Sequence, residues 1–100
     1  MANEQVCYYM KLNPPRESFM VDMQDHEKDV MYQHMAYWRP YVSSGTVIVL
    51  GPVMMPNGGF GIAIVQVNDF EAVQKLIADD PANGLCTYEC YPMQAVSKFL

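Results

Sequence analysis

Residues 46–67 read TVIVLGPVMMPNGGFGIAIVQV, in which two runs rich in β-branched residues flank a Pro-Asn-Gly-Gly segment. β-Branched residues favour strands, and the composition of Pro56–Gly59 is typical of a hairpin loop. The sequence therefore predicts two antiparallel strands, 46–53 and 60–67, joined by the loop 54–59. Both faces of these strands are apolar, which is the pattern of a sheet covered on both sides.

The chain before this hairpin predicts a strand, a loop and a long helix. Residues 5–12 form two alternating sets that are both largely apolar, which indicates a strand. Asn13-Pro-Pro-Arg16 ends it and begins a loop over 13–23, for which a lid, a dimer arm and a surface insertion are all open roles. From 22 to 42 apolar residues recur at helical spacing. Pro40 lies inside the last turns, so we expect a kink or an early end there.

The chain after the hairpin predicts a second helix and a last strand. Asn68 and Glu71 resemble a capping box at the start of a helix that ends before Pro81. Residues 86–93 then have the composition of a strand, and 94–100 form a tail.

The predicted order of elements is strand, helix, strand, strand, helix, strand, which is the βαββαβ order of the ferredoxin-like α+β fold. A chain of 100 residues fits one domain, so 1–100 are expected to form a single unit. Right-handed crossovers place both helices on one face of a four-stranded antiparallel sheet, with the first strand beside the last. The opposite face would be bare and apolar, and we expect a homodimer that forms through it.

The charge balance excludes several classes of partner. Eleven acidic and six basic residues give a net charge of −5, and the basic residues form no cluster. Nucleic acid and anionic membrane surfaces attract basic proteins, so neither is an expected partner. There is no signal-peptide pattern and no apolar run of the roughly 20 residues that span a bilayer, so we expect a cytoplasmic location. Cys7, Cys86 and Cys90 lie in no zinc-binding spacing, and we expect reduced thiols, no metal and no cofactor.

Two residues, His34 and Asp80, are candidates for a catalytic site because of their positions in the predicted elements. His34 comes four residues after Val30 and four before Trp38, within the apolar stripe of the predicted helix. A core histidine bonded to a carbonyl and an imidazole positioned for proton transfer both fit that place. Asp80 follows the second helix, where a carboxylate meets the unfavourable end of the helix dipole. It is either a polar helix end or the partner of a cation such as a protonated imidazole.

Five segments spread over the chain resemble the YCII-related proteins. They are His34-Met-Ala-Tyr-Trp38, Gly45-Thr-Val-Ile-Val-Leu-Gly-Pro52, Gly59-Phe-Gly-Ile-Ala-Ile64, Ala78-Asp-Asp-Pro81 and Thr87-Tyr-Glu89. The resemblance implies a ferredoxin-like subunit in a dimeric α/β barrel, with a His/Asp pair in a pocket as the candidate active site. The matching residues are His34 and Asp80. Asp79 is the weaker candidate, since the family's carboxylate directly precedes the proline.

The predicted function is acid–base chemistry on a small metabolite, with His34 as the acid or base and Asp80 as its orienting partner. Isomerisation, elimination and lactone-type reactions fit, and the metabolite is expected to be aromatic or anionic. The alternative is a non-catalytic dimeric module that binds a small ligand or a protein. Aromatic residues can stack on a ring, and Arg16 can close over an anionic group. The candidate substrate-binding residues are Tyr8, Arg16, Trp38, Gly51, Pro52 and Phe60.

Overall fold

The computed structural model describes residues 5–96. Its elements are, in chain order, β1 (Val6–Asn13), α1 (Phe19–Asp22), α2 (Asp25–Ser44), β2 (Val47–Met55), β3 (Gly58–Val67), α3 (Phe70–Ala78) and β4 (Thr87–Met93). The strands form an antiparallel sheet in the order β2-β3-β1-β4. The predicted ferredoxin-like α+β fold is confirmed, with the first strand beside the last. In the predicted tail, residues 94–96 are in neither helix nor strand, and 97–100 lie outside the described residues.

Two predicted boundaries differ from the structure. The loop 13–23 contains the short helix α1, and α2 begins only at Asp25. Gln24 caps α2 through a capping box with Glu27, whose side chain accepts a hydrogen bond from the Gln24 amide at 2.8 Å. The β2–β3 hairpin is tighter than predicted, because both strands extend into the expected loop and leave a turn at 56–57.

Pro40 lies inside α2, and the expected early end at this residue is wrong, because the helix continues to Ser44. Proline removes one backbone donor from a helix. The rings on either side of it pack closely, with centroids 5.2 Å apart for Tyr37 and Trp38 and 5.8 Å apart for Trp38 and Tyr41. We attribute the continuation to this packing, which holds the last turns of α2 despite the missing hydrogen bond.

Helix α3 begins one residue later than the predicted capping box implies. Its N-cap is Asp69, whose side chain accepts a hydrogen bond from the amide of Ala72 at 2.9 Å. The predicted cap, Asn68, is therefore wrong. Both residue types cap helices well, and the carboxylate also suits the positive end of the helix dipole.

The hydrophobic core lies between the sheet and the helices α2 and α3. Its cluster of buried residues comes from both helices and three strands and consists of Tyr8, Met10, Trp38, Val47, Ala63, Val65, Val67 and Val73. None of the helices within residues 5–96 is long and apolar enough to cross a membrane.

Strand β3 changes in side-chain size along its helix-facing side. Val67, Val65 and Ala63 lie in the core cluster, and the alternation of a strand puts Gly61 and Gly59 on the same side. From Val67 to Gly59 the side chains therefore shrink from branched to absent. Core packing covers one end of the sheet and leaves space above the glycine end.

The face of the sheet that α2 and α3 leave uncovered carries a row of apolar residues. One residue from each strand contributes to it, in the order Val49, Ile64, Tyr9 and Tyr91. Val49 is 52% exposed and Tyr91 is 53% exposed. Beside this row, the ammonium group of Lys11 lies 4.0 Å from the carboxylate of Glu89.

Candidate active site

Asp80 is a buried carboxylate at the point where the chain leaves α3. It is 3% exposed. His34 Nδ1 lies 2.9 Å from each of its oxygens. Its Oδ2 also accepts hydrogen bonds from Trp38 Nε1 at 2.7 Å and from the Tyr88 hydroxyl at 2.6 Å, and its Oδ1 accepts one from the Ala82 amide at 2.9 Å. Helix α2, the segment after α3 and strand β4 therefore meet on one carboxylate.

The backbone after α3 directs this side chain. The Asp80 amide donates to the carbonyl of Ile77 at 3.2 Å, and the Asp80 carbonyl accepts from the amide of Asn83 at 2.9 Å. Pro81 prevents the helix from continuing, and the Ala82 amide turns back onto the carboxylate in an Asx-type turn. The local sequence Asp-Pro-Ala therefore orients the carboxylate, and α2 supplies further hydrogen-bond partners.

The environment of Asp80 keeps it ionised. Burial alone would raise the pKa of its carboxyl group, because burial disfavours the charged form. Hydrogen bonds from His34, Tyr88, the Ala82 amide and Trp38 outweigh burial and hold the pKa below its ordinary value. Burial and, next, the hydrogen bond to Asp80 raise the pKa of Tyr88 well above its ordinary range. At neutral pH Asp80 is an anion, and Tyr88 is a hydroxyl donor.

This anion fixes the proton position on His34. An ionised carboxylate can only accept hydrogen bonds, so Nδ1 of His34 carries a proton in both the neutral and the charged ring. In the neutral ring Nε2 then holds the free lone pair. The His34 side chain is 12% exposed while that of Asp80 is 0% exposed. The anion therefore lies behind the imidazole, and the ring itself borders a cavity.

The cavity has a volume of about 360 Å³, near the lower end of the range for small-molecule sites. It is bordered by α2, the 13–23 loop and the glycine end of the sheet. Among the described residues its lining contains no Asp, Glu, Lys or Arg, and its titratable side chains are those of His34, Cys86 and Tyr88. Burial and, secondarily, the charge of Asp80 raise the pKa of Cys86 to about 11, so this thiol stays protonated. Five methionines line the cavity: Met10, Met20, Met23, Met31 and Met35.

The 13–23 loop forms part of the cavity wall and is tied to the start of α2. Arg16 donates two hydrogen bonds of 2.8 Å to the carboxylate of Glu27 and one of 2.9 Å to Asp22. The bonds from Arg16 and, secondarily, from the Gln24 amide lower the pKa of Glu27 to about 2. Phe19, at 1% exposure, anchors the loop beneath this ion pair. The loop residues on the cavity wall are Pro14, Phe19, Met20 and Met23.

The structure brings most of the predicted site residues together. Those on the cavity wall are His34, Trp38, Gly51, Pro52 and Phe60, with Asp80 directly behind His34. Two candidate substrate-binding residues are not on the wall. The guanidinium group of Arg16 forms ion pairs with Glu27 and Asp22. Tyr8 is 7% exposed in the core, with its ring centroid 5.6 Å from that of Phe70.

Tyr88 and the five methionines are not among the site residues predicted from the sequence. Tyr88 lies in the segment Thr87-Tyr-Glu89 that resembles the family, but strand alternation alone does not indicate that its hydroxyl reaches Asp80. The methionines come from β1, the 13–23 loop and α2. Nothing in the spacing of these segments shows that they share a cavity.

Comparison with known proteins identifies the family. Residues 7–96 match the model of the YCII-related domain, and the chain therefore belongs to the YCII-related family. The resemblance drawn from the sequence is confirmed. No curated protein matches the sequence.

Two solved structures share the fold. One is 5-chloro-2-hydroxyhydroquinone dehydrochlorinase (TftG) from Burkholderia phenoliruptrix AC1100, in complex with 2,5-dihydroxybenzoquinone, with a TM-score of 0.66, 15% identity, and coverage of 87% of this chain and 93% of that chain. The other is the uncharacterized protein TM1266 from Thermotoga maritima, with a TM-score of 0.56, 9% identity, and coverage of 91% of this chain and 100% of that chain. At these identities the likeness is one of fold.

Proposed function

We propose that this protein is an acid–base enzyme for a compact, flat metabolite, with His34 as the proton-transfer residue and Asp80 as its orienting partner. The observation that carries the proposal is the contact of His34 Nδ1 with both Asp80 oxygens at 2.9 Å, beside a cavity of about 360 Å³. A non-catalytic module has no need for an imidazole whose tautomer is fixed by a buried anion and whose ring borders a ligand-sized space.

The proposed chemistry begins with the neutral ring. Nε2 of His34 takes a proton from the substrate, and the electron pair of the broken bond either moves to a neighbouring atom or expels a leaving group. Asp80 stabilises the imidazolium that results. The proton then returns to another substrate atom or to the leaving group. Isomerisation, elimination and lactone-type reactions all use these two steps.

The walls of the cavity favour a flat ring. Trp38 offers an aromatic surface, and Gly59 and Gly61 leave the sheet opposite it without side chains. The dehydrochlorinase with the same fold is named for a ring substrate and is bound to a quinone. Shared fold and family support an aromatic or quinone-like ligand here.

The first experiment compares the two histidines of the chain. In His34→Asn the amide nitrogen takes the place of Nδ1, so the bond to Asp80 is kept while Nε2 is lost. His26→Asn is the matched control, because His26 is exposed in the first turn of α2. The assay is deuterium exchange into the acidic C–H of 2-tetralone, a compact bicyclic ketone with one aromatic ring, followed by NMR in heavy water.

We expect exchange to fall about 100-fold in His34→Asn and to stay at the wild-type rate in His26→Asn, since general acid–base groups contribute roughly 10²–10⁴-fold. Chloride release from 5-chloro-2-hydroxyhydroquinone is a second assay with the same variants. A His34→Asn rate equal to a wild-type rate that exceeds the protein-free rate would exclude His34 from the chemistry. Wild-type rates no higher than the protein-free rates in both assays would favour the binding-module function.

We further propose that the protein is a homodimer formed through the row Val49, Ile64, Tyr9 and Tyr91. The row is apolar and runs across all four strands on the face that the core does not use. Ile64→Lys places a charge at its centre and should shift the sedimentation coefficient to that of a monomer. Tyr32→Lys is the control, because Tyr32 is 79% exposed on α2. Dimers that persist in Ile64→Lys would place the interface elsewhere.

A further inference from the structure

We infer that the cavity selects ligands that are uncharged when they bind and discriminates against carboxylates and phosphates. The inference deepens the proposed function and rests on it, because it takes His34 as the residue that meets the ligand. It narrows the substrate class to flat, largely apolar compounds with one weakly acidic O–H or C–H group.

The cavity wall carries no permanent cation among the residues that the structure describes. Among the described residues, the lining contains neither Lys nor Arg. Arg16 lies on the 13–23 loop that forms part of the cavity wall, but its guanidinium group is paired with Glu27 at 2.8 Å and with Asp22 at 2.9 Å. Lys11 lies on the other face of the sheet, 4.5 Å above the ring of Phe60. Within residues 5–96, an anionic group that enters the cavity therefore meets no side chain of permanent positive charge.

A negative charge is already present behind His34. Asp80 is an anion, and His34 is the group on the wall that can balance it. An anionic ligand beside a neutral His34 adds a second negative charge to an apolar site, which is costly. Such a ligand binds well only if His34 takes up a proton from solution at the same time.

A neutral acid avoids this uptake. If it gives its proton to Nε2, the proton moves within the site and the net charge stays the same. Ligand anion, imidazolium and Asp80 carboxylate then alternate in sign. The resting site thus fits a weak acid rather than its conjugate base.

Gly61 shapes the side of the cavity that the sheet forms, which we call its floor. A Cβ added at Gly61 would lie 3.4 Å from Cβ of Leu12, close to ordinary contact, so a small side chain fits there without moving the backbone. Gly61 lines the cavity, so larger side chains at this position would project into it. The glycine sets the depth to which a ring can enter, while the methionines adapt to its outline.

The test compares 2-naphthol with 2-naphthoate, which share one ring system and differ in charge. At about pH 7.5 the first is neutral and the second is an anion, because phenols have pKa values of about 10 and carboxyl groups of about 4. Calorimetric titration of the wild-type protein in two buffers of different ionisation enthalpy gives both the Kd and the number of protons taken up. Gly61→Val is the variant that fills the floor, and Gly61→Ala is its milder counterpart.

We expect 2-naphthol to bind without proton uptake. We expect 2-naphthoate to bind at least about tenfold more weakly, with uptake of close to one proton and therefore an affinity that falls as the pH rises. Gly61→Val should lose 2-naphthol binding and Gly61→Ala should keep it. Binding of 2-naphthoate as tight as that of 2-naphthol without proton uptake, or no binding of 2-naphthol at all, would overturn the inference.

The outcome separates this inference from the proposed function. If 2-naphthoate is preferred while His34→Asn still abolishes exchange into 2-tetralone, the acid–base function stands and the ligand class is wrong. If 2-naphthol is preferred while His34→Asn exchanges at the wild-type rate, the ligand class stands and the catalytic role of His34 is wrong.

Discussion

Replacing Asp80 with asparagine tests the network at its centre. The amide has one accepting oxygen and one donating nitrogen, whereas the carboxylate accepts from four groups. With its oxygen at the Oδ2 position, the asparagine side chain would keep the bonds from Trp38 and Tyr88. Its nitrogen would then face the Ala82 amide, which is a donor, and leave that buried N–H without a partner.

The magnitude follows from these changes. A buried amide left unpaired costs about 1–3 kcal/mol, and two bonds that lose a charged acceptor weaken by about 1 kcal/mol each. The asparagine no longer has to be buried as an ion, which offsets part of this sum. We expect Asp80→Asn to lower the free energy of unfolding by about 3 kcal/mol. With a urea slope of about 1 kcal/mol per molar, the unfolding midpoint moves by about 3 M.

The assay is urea unfolding at one fixed protein concentration, followed by the fluorescence of Trp38, the single tryptophan of the chain. Asp79→Asn is the matched control. Asp79 is the neighbouring carboxylate and pairs with Lys75 on the surface of α3 at 3.5 Å. Exposed pairs of this kind contribute about 0.3–0.5 kcal/mol, so the control should move the midpoint by less than about 0.5 M.

A second measurement on Asp80→Asn reports the tautomer of His34. In the wild type at about pH 8.5, where an ordinary imidazole is neutral, nitrogen NMR should show the proton on Nδ1. In the variant the amide can donate to Nδ1, and the proton should move to Nε2, which removes the basic atom from the cavity. A variant as stable as Asp79→Asn, with the proton still on Nδ1, would refute the reasoning.

Four further variants test other parts of the structure. Glu27→Gln should reduce the loss of stability between about pH 4.5 and pH 2. The wild-type carboxylate, with its pKa lowered from 4.5 to about 2, stabilises the fold above this range and loses that effect as the pH falls through it. An unchanged fall of the melting temperature over this pH range would argue against the Arg16 ion pair. Tyr88→Phe removes one bond to a buried anion and should cost about 1.5–3 kcal/mol in urea unfolding, and a loss below about 0.5 kcal/mol would mean that the hydroxyl is not on Asp80. Gly61→Ala should stay within about 1 kcal/mol of the wild type. Gly59→Ala should lose more, since its Cβ would lie 2.5 Å from the backbone oxygen of Val53, and equal stability of the two would contradict the register of the hairpin.

The parts of the fold that the sequence predicts correctly depend on short-range patterns. Alternation and turn chemistry are enough for the β2–β3 hairpin, and apolar spacing is enough for α2. The errors occur where two local signals compete. Asn68 and Asp69 are both good caps, and only the observed helix shows that Asp69 is used. At Pro40 the local rule predicts an end, but the residues before it are held by tertiary contacts that no local rule contains: the Tyr37 hydroxyl donates to the Leu76 carbonyl, and Trp38 lies in the core cluster.

The candidate site was predictable only in part, for the same reason. The place of His34 on an apolar stripe and of Asp80 at a helix end can be found in the sequence, and family resemblance suggested that they pair. The bond from Tyr88 and the position of Arg16 depend on how β4 and the 13–23 loop pack. Its place on a long loop suggested that Arg16 binds an anionic group of the ligand. Its actual neighbour, Glu27, lies in the first turn of α2, where the capping box holds its carboxylate.

Trp38 links stability to function in this fold. It is 2% exposed and belongs to the core cluster, yet its indole N–H binds the same carboxylate that orients His34. Any change at Asp80 therefore disturbs the core and the site together, and its loss of activity cannot by itself be assigned to chemistry. His34 is different, because its ring lies at the border of the cavity and its Nε2 carries the proposed chemistry but supports no described hydrogen bond of the fold. It follows that His34→Asn, which keeps the donor to Asp80, is the substitution that separates the two: activity should fall while the urea midpoint remains near that of the wild type.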